Sequence, residues 1–330
     1  MLRERATRLQ TNRRGAAAVT VELIRLGTRA SALAMAQSQT VADSLAKASG
    51  LPVELVPITT EGDRSKQSLS TLGGTGVFAV GLREALRDGR CDVVVHSLKD
   101  LPTAPAEGLI IAAIPKRADP RDAVCARDGM TLDTLPPGAR IGTGSPRRAA
   151  QLRRRRPDLE VVDIRGNVDT RLGKVAAGDL DAVMLAAAGL ARLGRLEAVT
   201  EFCTLDGWPT APGQGALAVE TVAKPDRVVR SAVASIEHRP TRLTVTAERE
   251  VLRILEAGCA APIGAHALID DGLIFLSARV YSPDGAEHIT SAHALYLDDD
   301  PRPAETVAAN VARELLSLGA AELVPAGSIS

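Results

Sequence analysis

The sequence predicts an α/β protein with two doubly wound units followed by a smaller α+β unit. Strand-like and helix-like segments alternate through the first two thirds of the chain, as in open, mostly parallel sheets. One largely apolar run, Cys91–Ser97, is typical of a parallel strand buried on both faces. Near the carboxyl end, Leu273–Tyr281 and His288–Leu297 flank the turn Ser282–Gly285 and therefore predict an antiparallel pair.

The first unit is predicted to contain four strands and two helices. The predicted strands are Ile24–Gly27, Val53–Thr59, Cys91–Ser97 and Leu109–Ile114. Ser31 is expected to cap a helix that ends at Gly50, and a second helix should span Phe78–Asp88. Between them, Thr60–Gly76 is too long for a simple connection and carries Gly73, Gly74 and Gly76, so we predict a mobile lid that ends just before Phe78.

The second unit begins near Pro115 and repeats the alternation. Its predicted strands are Asp122–Ala126, Arg140–Gly142, Glu160–Ile164 and Asp181–Ala186, and its predicted helices are Pro146–Arg156, Val168–Ala177 and Ala188–Leu193. After the break Pro209–Gly215, we expect a strand at Ala216–Glu220 and helices at Asp226–Ser235, Thr241–Leu255 and Ala304–Leu318.

Composition argues against several classes of protein. Forty basic and forty acidic residues give a formal net charge of zero, and aromatic residues are only 2%, so a nucleic-acid surface is not expected. Four cysteines and five histidines show no metal-ligand spacing. No apolar run approaches the roughly 18 residues that span a membrane. Residues 1–20 are basic without an apolar core, which favours a disordered extension over a transit peptide, and we expect a cytoplasmic protein.

Arginines concentrate between Ile141 and Arg171. Eight arginines and no lysine lie there, and glycines interrupt the stretch where strands should lead into helices. Ser145 and Pro146 form a helix start whose amide groups can bind an anion, and an arginine fork can grip a carboxylate with two hydrogen bonds. Arg153–Arg156 are expected to be a solvated helix end, because four consecutive residues cannot face one pocket. Arg147, Arg148, Arg165 and Arg171 are the better ligand candidates, and they imply a multiply anionic ligand.

Three further places could carry chemistry. The segment His96–Asp100 lies at the carboxyl end of the most buried predicted strand, where a doubly wound sheet presents catalytic groups, although Asp100 could equally cap a turn. Cys259 lies among small residues, and on composition alone it is more readily explained as a small buried residue than as a nucleophile. The glycine loop at Gly73 lacks the lysine and spacing of a P-loop, which argues against nucleotide binding.

Taken together, these segments resemble the porphobilinogen deaminase (hydroxymethylbilane synthase) family over residues 22–325. The matching motifs, in chain order, are Gly27–Ser31, His96–Asp100, Asp119–Ala123, Gly142–Arg148, Arg165–Asn167, Glu248–Arg249 and Gly258–Gly264. The resemblance implies two domains hinged like a periplasmic binding protein, comprising 21–114 plus 216–235 and 115–209, and a cofactor-carrying domain at 240–330.

The resemblance also implies a function. A dipyrromethane cofactor, made from porphobilinogen, would be attached to Cys259 by a thioether. Four porphobilinogens would be added to it with loss of ammonia, and hydrolysis would release hydroxymethylbilane. Asp100 matches the family's catalytic carboxylate. The residues implied to bind cofactor or substrate carboxylates are Arg29, Ser31, Ser97, Lys99, Thr143, Ser145, Arg147, Arg148, Arg165, Arg171 and Arg192. The implied enzyme is a monomer that uses no metal, nucleic acid or membrane.

Two departures from the family pattern bear on these expectations. Thr71 and Thr75 stand where many members have lysines in the glycine loop, and Gly144 replaces a serine in the Gly-Thr-Ser-Ser motif. The alternative function is a non-catalytic, two-lobed anion-binding receptor or regulator. A receptor should show a signal peptide, a regulator should add a helix-turn-helix, and neither would use Cys259. A structural interaction protein would not need arginines clustered at strand ends.

Overall fold

The computed structural model describes residues 22–59, 77–256 and 261–323. The predicted extension at 1–20, the predicted lid with Gly73, Gly74 and Gly76, and Cys259 lie outside these ranges. The backbone of Phe78 is described as part of a helix.

The secondary structure follows the predicted alternation closely. In chain order the strands are β1 Ile24–Thr28, β2 Val53–Pro57, β3 Val93–Ser97, β4 Leu109–Ala113, β5 Asp122–Ala126, β6 Arg140–Gly142, β7 Glu160–Val162, β8 Ala182–Ala186, β9 Glu201–Phe202, β10 Leu217–Val222, β11 Ile263–Asp270, β12 Leu273–Tyr281 and β13 His288–Tyr296. The α-helices are α1 Ala32–Ser49, α2 Val77–Arg87, α3 Pro146–Arg155, α4 Val168–Ala176, α5 Ala187–Arg192, α6 Arg227–Ser235, α7 Arg239–Ile254 and α8 Pro303–Ser317.

The first sheet has the strand order β2-β1-β3-β10-β4. Strand β1 pairs in parallel with β2 and β3, whereas β10 pairs antiparallel with both β3 and β4. Four of the five strands therefore point the same way, which confirms the prediction of a mostly parallel sheet. Helices α1 and α6 cover it, and buried residues such as Leu26, Val93, Leu45 and Val233 fill the core between them. We call this sheet and its helices the first unit.

The second sheet, with the order β7-β6-β8-β5-β9, repeats this arrangement and defines the second unit. Strand β6 is parallel to β7 and β8, and β5 is antiparallel to β8 and β9. The oppositely directed strand in each sheet follows a crossing of the chain from the other unit, β5 after residues 114–121 and β10 after residues 203–216. These two crossings are the only covalent connections between the first two units in the described chain.

The third unit is an antiparallel meander, β11-β12-β13, with α7 and α8 against one face. The predicted hairpin is confirmed, with Tyr281 paired to His288 across the turn. Alternate residues of β12, including Leu276 and Ala278, point into a core that also contains Val251 and Val311. Strand β11 pairs with β12 along its whole length.

The chain connections place the candidate functional segments at one edge of each sheet. The carboxyl end of β3 leads into a 3₁₀ turn, Leu98–Asp100, and that of β6 leads through Thr143 into α3. The carboxyl end of β8 leads directly into α5. Because the strands concerned are parallel within their sheet, their carboxyl ends share an edge, where ligands bind in open α/β sheets.

Candidate active site

The 3₁₀ turn Leu98–Asp100 carries two charged residues of the first unit's candidate site, Lys99 and Asp100. Ser97, the last residue of β3, accepts a hydrogen bond from Gln37 Nε2 at 2.9 Å. Lys99 is half-buried and donates from Nζ to Gln214 Oε1 at 3.2 Å, whereas Asp100 is exposed. The turn therefore presents a carboxylate to solvent beside an anchored ammonium group.

The end of β1 supplies the other predicted residues of this unit. Ser31 caps α1, and its Oγ accepts a hydrogen bond from the backbone N–H of Ala34 at 3.4 Å. Arg29 is half-buried two residues earlier. The predicted cap at Ser31 is confirmed, so its hydroxyl has a structural partner as well as the role implied by the family resemblance.

In the second unit, the predicted start of α3 is also confirmed. The Oγ of Ser145 accepts from the backbone N–H of Arg148 at 3.4 Å, and Thr143 Oγ1 accepts from the N–H of Ser145 at 3.2 Å. A Cβ atom at Gly144 would lie 2.6 Å from the carbonyl oxygen of Ile164. The departure from the family motif thus matches this backbone, which has no room for a side chain at position 144.

Arg147 and Arg148 converge on a buried carboxylate, Asp122. Arg147 Nη1 donates to Asp122 Oδ2 at 2.8 Å, and Arg148 Nη2 donates to Oδ1 at 2.6 Å. Trp208 Nε1 and Gln214 Nε2 each donate to the same carboxylate at 2.8 Å. Although burial alone would raise the pKa of Asp122, the two guanidinium groups hold that pKa well below its usual range. We call Asp122, Arg147, Arg148, Trp208 and Gln214 the Asp122 cluster.

Arg147 and Arg148, which the sequence analysis did not distinguish, have different partners in the Asp122 cluster. Arg147 is 3% exposed and directs Nη1 to Gln151 and to the carbonyl of Pro209, whereas its Nε and Nη2 have no hydrogen-bond partner among the described residues. Arg148 uses Nη1 for the carbonyl of Met184. The charges of both arginines act to lower the pKa of Lys99, and that of Arg148 also lowers the pKa of Arg171. Both arginines therefore contribute to the electrostatics of the sheet edge, Arg148 more widely than Arg147.

Arg165 and Arg171 lie on the same side of the second unit. Arg165 is exposed, and Arg171 is half-buried and donates from Nε to the carbonyl of Gly166 at 2.9 Å. Burial lowers the pKa of Arg171, and the charges of Arg148 and Arg165 lower it further, partly offset by Asp163. Three cations thus lie close enough to destabilise one another, and an anionic ligand would relieve that repulsion.

Lys99 connects the two units electrostatically. Burial lowers its pKa to about 8, with Asp100 acting to raise it and Arg148 to lower it. Gln214 forms the direct link, since its side-chain oxygen accepts from Lys99 while its Nε2 donates to the Asp122 carboxylate and the carbonyl of Pro120. Arg192 is set apart, half-buried with Nη2 donating to the carbonyl of Gly215.

The structure therefore brings Lys99, Arg148, Arg165 and Arg171 into one cation-rich edge with the exposed carboxylates of Asp100 and Asp163. Gln214 and Trp208 were missed as functional candidates. The only signals available were the break that contains Gln214 and the single tryptophan of the chain. Among the described residues, no group of histidine, cysteine and acidic side chains could hold a metal ion.

A second buried carboxylate, Glu248 of α7, lies where the three units meet. Arg117 donates to it from Nη1 and Nη2 at 2.6 and 3.0 Å, and the backbone N–H groups of Gly213 and Ala267 donate at 2.7 and 2.9 Å. Burial alone would raise its pKa, but Arg117 and His266 lower it to about 2. Glu248 thereby ties both crossings between the first two units to the third.

The fold and the site define an α/β protein with two open-sheet units, a group of cations at their strand ends and a third unit at the crossings between them. The model of the porphobilinogen deaminase dipyromethane cofactor binding domain matches residues 24–230, and that of the porphobilinogen deaminase C-terminal domain matches residues 242–317. The chain belongs to the porphobilinogen deaminase family.

Curated relatives agree over nearly the whole length. The porphobilinogen deaminase of Leifsonia xyli subsp. xyli is 59% identical over 313 residues, which cover 92% of this chain and 94% of the relative. That of Thermobifida fusca is 50% identical over 304 residues, covering 91% and 95%. The family resemblance inferred from the motifs is thus confirmed.

Solved structures of binding proteins also resemble part of the chain. The methionine-binding protein MetQ matches with a TM-score of 0.43 and 13% identity, covering 65% of this chain and 90% of MetQ. A periplasmic substrate-binding protein from Coxiella burnetii matches with a TM-score of 0.42 and 14% identity, covering 68% and 96%. No helix in the described ranges has the length and apolar character needed to cross a membrane.

Proposed function

We propose that the chain is a hydroxymethylbilane synthase that joins four porphobilinogen molecules head to tail on a covalent dipyrromethane and releases hydroxymethylbilane by hydrolysis. Family membership over both matched models supports this activity. The observation that carries it is the group of mutually repelling cations Lys99, Arg148, Arg165 and Arg171 beside the exposed carboxylate of Asp100. Porphobilinogen bears an acetate and a propionate, so each added unit brings two negative charges to that group.

The cofactor fits the residues at the sheet edge. Burial and the charges of Arg148 and Arg165 lower the pKa of Arg171, as expected of a site built for an anion. We propose that these three, with Lys99, Arg29, Ser31, Ser97, Thr143, Ser145 and Arg192, hold the carboxylates of cofactor and substrate. We propose the same role for Arg147, because the single charge of Asp122 is shared with Arg148 and the charge of Arg147 also acts on Lys99. When bound, the dipyrromethane supplies the terminal pyrrole carbon on which the chain grows.

Asp100 is the proposed catalytic residue. When the aminomethyl C–N bond of porphobilinogen breaks, ammonia leaves with the bonding electrons and an azafulvene-like cation remains. A carboxylate held near the pyrrole N–H groups stabilises that positive charge. The same carboxylate would stabilise the positive charge that develops on the attacked ring as the new C–C bond forms, and loss of the α-proton of that ring would then restore the neutral pyrrole. The exposure of Asp100 leaves it accessible to the substrate.

We propose Cys259 as the attachment point of the cofactor. Its support comes from the Gly-Cys-x-x-Pro motif and from the environments of the other three cysteines. Cys91, Cys125 and Cys203 are buried, and burial raises their pKa values to about 11, 11 and 12, respectively. A thiol with such a pKa is rarely the thiolate that nucleophilic attack requires.

Mass spectrometry tests the attachment. The purified protein should exceed its sequence mass by one dipyrromethane, and peptide mapping should place the excess on Cys259. Cys259→Ser should fold, carry no cofactor and have no measurable turnover, whereas Cys125→Ser is the matched control that keeps both. An adduct on Cys91, Cys125 or Cys203, or full activity in Cys259→Ser, would refute the assignment.

We further propose that the enzyme works as a cytoplasmic monomer that needs only porphobilinogen, without metal, nucleic acid or membrane. The balanced charge of the chain and the small, focused cation group support a small-molecule partner. Sedimentation at micromolar concentration should give the mass of one chain. Turnover that disappears after treatment with a chelator and returns with a metal ion would contradict the metal-free mechanism.

A further inference from the structure

Arg249 of α7 contacts the 3₁₀ turn that carries Lys99 and Asp100. Its Nη1 donates to the carbonyl oxygens of Leu98 at 3.0 Å and Leu101 at 2.9 Å, and its Nη2 donates to that of Pro102 at 2.7 Å. One guanidinium group of the third unit therefore binds three backbone carbonyls around the catalytic turn of the first unit. Charged hydrogen bonds of this kind are stronger and more directional than neutral ones.

The geometry of the contact restricts the turn itself. Leu98 and Leu101 bracket Lys99 and Asp100, and the backbone N–H of Leu101 donates to the carbonyl of Leu98 at 3.2 Å. Both leucines are buried, which fixes the turn from the first unit's side. By holding the carbonyls at the two ends of the turn, Arg249 fixes its backbone from the other side. The orientation of the Asp100 side chain depends both on the buried leucines and on Arg249.

Apolar packing between α7 and the turn is limited to Val245, which shares a buried cluster with Leu98 and Leu101. A cleft of about 180 Å³ lies between α7 and the first unit, lined by Leu98, Thr103 and Arg249 among others. Arg249 lines this cleft and donates to the backbone there, which an apolar side chain such as Val245 cannot do. Removal of Arg249 would therefore leave three carbonyls without their charged donor, and only apolar packing would hold the turn to α7.

We propose that Arg249 is a positioning residue that sets the orientation of Asp100, and with it Lys99, from the third unit. This inference rests on the proposed role of Asp100. It also gives the third unit a part in each addition step beyond carrying Cys259, because α7 both precedes the cofactor segment in the chain and holds the catalytic turn. A misplacement of about 1 Å in a reacting group can cost about a hundredfold in rate.

Single substitutions test the effect on rate. Arg249→Gln should keep the cofactor, as judged by intact mass, and change KM by less than about threefold. Its kcat should fall by about ten- to a hundredfold because Asp100 is no longer held in place. Arg249→Lys, which retains a cationic donor, should recover part of that loss. Arg253→Gln is the matched control, since Arg253 lies one turn later on α7 and pairs with Glu250 on the surface, and it should retain the wild-type kcat.

A double-mutant cycle with Asp100→Asn separates positioning from a merely structural effect. If Arg249 acts through Asp100, Arg249→Gln should reduce kcat little further in the Asp100→Asn background. Independent, multiplicative losses would overturn the proposal, as would a wild-type kcat in Arg249→Gln. If Arg249→Gln does not fold, Arg249→Lys is used in the cycle with the same two outcomes. Full turnover in Asp100→Asn alone would instead refute the proposed catalytic role, and the two failures are therefore distinguishable.

Discussion

The two ends of helix α3 carry arginines in opposite circumstances. At its start, Arg147 and Arg148 are 3% and 6% exposed and share the fully buried carboxylate of Asp122. At its end, Arg153 and Arg154 are exposed and each donates one hydrogen bond to a backbone carbonyl of the β12–β13 turn. The ten residues of this one helix thus include both buried arginines that share a carboxylate and exposed arginines that contact a turn.

The difference shows that burial and number of partners, not residue type, decide what an arginine does. A buried pair that loses one member leaves an uncompensated charge in the interior, whereas an exposed arginine exchanges one hydrogen-bond partner for water. The exposed end still has a fixed neighbour. A Cβ atom at Gly285, where φ is +77°, would lie 2.4 Å from the carbonyl of Ala150, so the turn fits closely against α3. The prediction of a solvated helix end is confirmed for Arg153, Arg154 and Arg155, which are exposed, but it missed the contact with the turn. It is wrong for Arg156, which is half-buried and donates to the carbonyls of Leu132 and Leu135.

The largest effect is expected for Asp122→Asn. This change leaves Arg147 and Arg148 buried without their counter-charge, and the free energy of unfolding should fall by about 3–5 kcal/mol. Urea denaturation at pH 7 measures it. Asp133→Asn is the matched control, because Asp133 is the exposed partner of Arg155, and it should cost less than about 0.5 kcal/mol. Equal costs would show that burial of the carboxylate does not distinguish the two ends of α3.

Glu248 is a second buried carboxylate, and its contribution to stability should depend measurably on pH in the acid range. Its folded pKa of about 2 lies below the ordinary 4.5, so it stabilises the fold above pH 4.5 and this contribution is lost as the pH falls toward 2. A shift of that size corresponds to roughly 3 kcal/mol. Glu248→Gln should be less stable at pH 7 and should lose less stability than the wild type between pH 5 and 2. Parallel pH profiles for the two proteins would contradict the assignment.

Arg148 and Arg165 should matter for ligand binding, in contrast to the end of α3. Each charged hydrogen bond lost is expected to cost about 1.5–3 kcal/mol. Arg148→Leu should lower both stability and cofactor assembly, whereas Arg165→Leu, at an exposed position, should lower assembly or turnover with little change in stability. Cofactor content by mass and the pattern of stalled enzyme–substrate complexes give the readout. Unaltered assembly and turnover in both variants would exclude specific carboxylate contacts.

The sequence alone allowed the secondary-structure elements to be predicted, but not the contacts between residues that are distant in the chain. The elements were predictable because glycines and caps such as Ser31 and Ser145 mark helix ends locally. The Asp122 cluster could not be predicted from the sequence. Asp122 is 86 residues from Trp208 and 92 residues from Gln214 in the chain, and such pairings arise only when the two sheets fold together. The arginines at strand ends were therefore found as a group, and only the structure separated Arg147 from Arg148.

We expect the titration of Lys99 to limit ligand binding and turnover at alkaline pH. With its pKa lowered to about 8, Lys99 is charged below that pH and loses its charge above it, so carboxylate binding and kcat/KM should decline as the pH rises through 8. Lys99→Arg keeps the charge at every accessible pH and should move the decline upward, even where overall activity is reduced. Lys116→Arg, at an exposed position, should leave the profile in place. An unchanged profile in Lys99→Arg would assign the decline to another group.

The smallest effect is expected at the exposed end of α3. Arg154→Leu removes one hydrogen bond, from Nη1 to the carbonyl of Ala286, and that carbonyl can be solvated in its place. The free energy of unfolding should change by less than about 0.5 kcal/mol, and cofactor content and turnover should equal those of the wild type. The double variant Arg153→Leu/Arg154→Leu makes the test stricter, because it removes both side-chain contacts to the β12–β13 turn while the packing at Gly285 remains. Near-wild-type stability in the double variant would show that packing holds α3 to the third unit. A loss above about 2 kcal/mol would show that the exposed arginines act together as a structural contact and that the two ends of the helix differ less than their burial indicates.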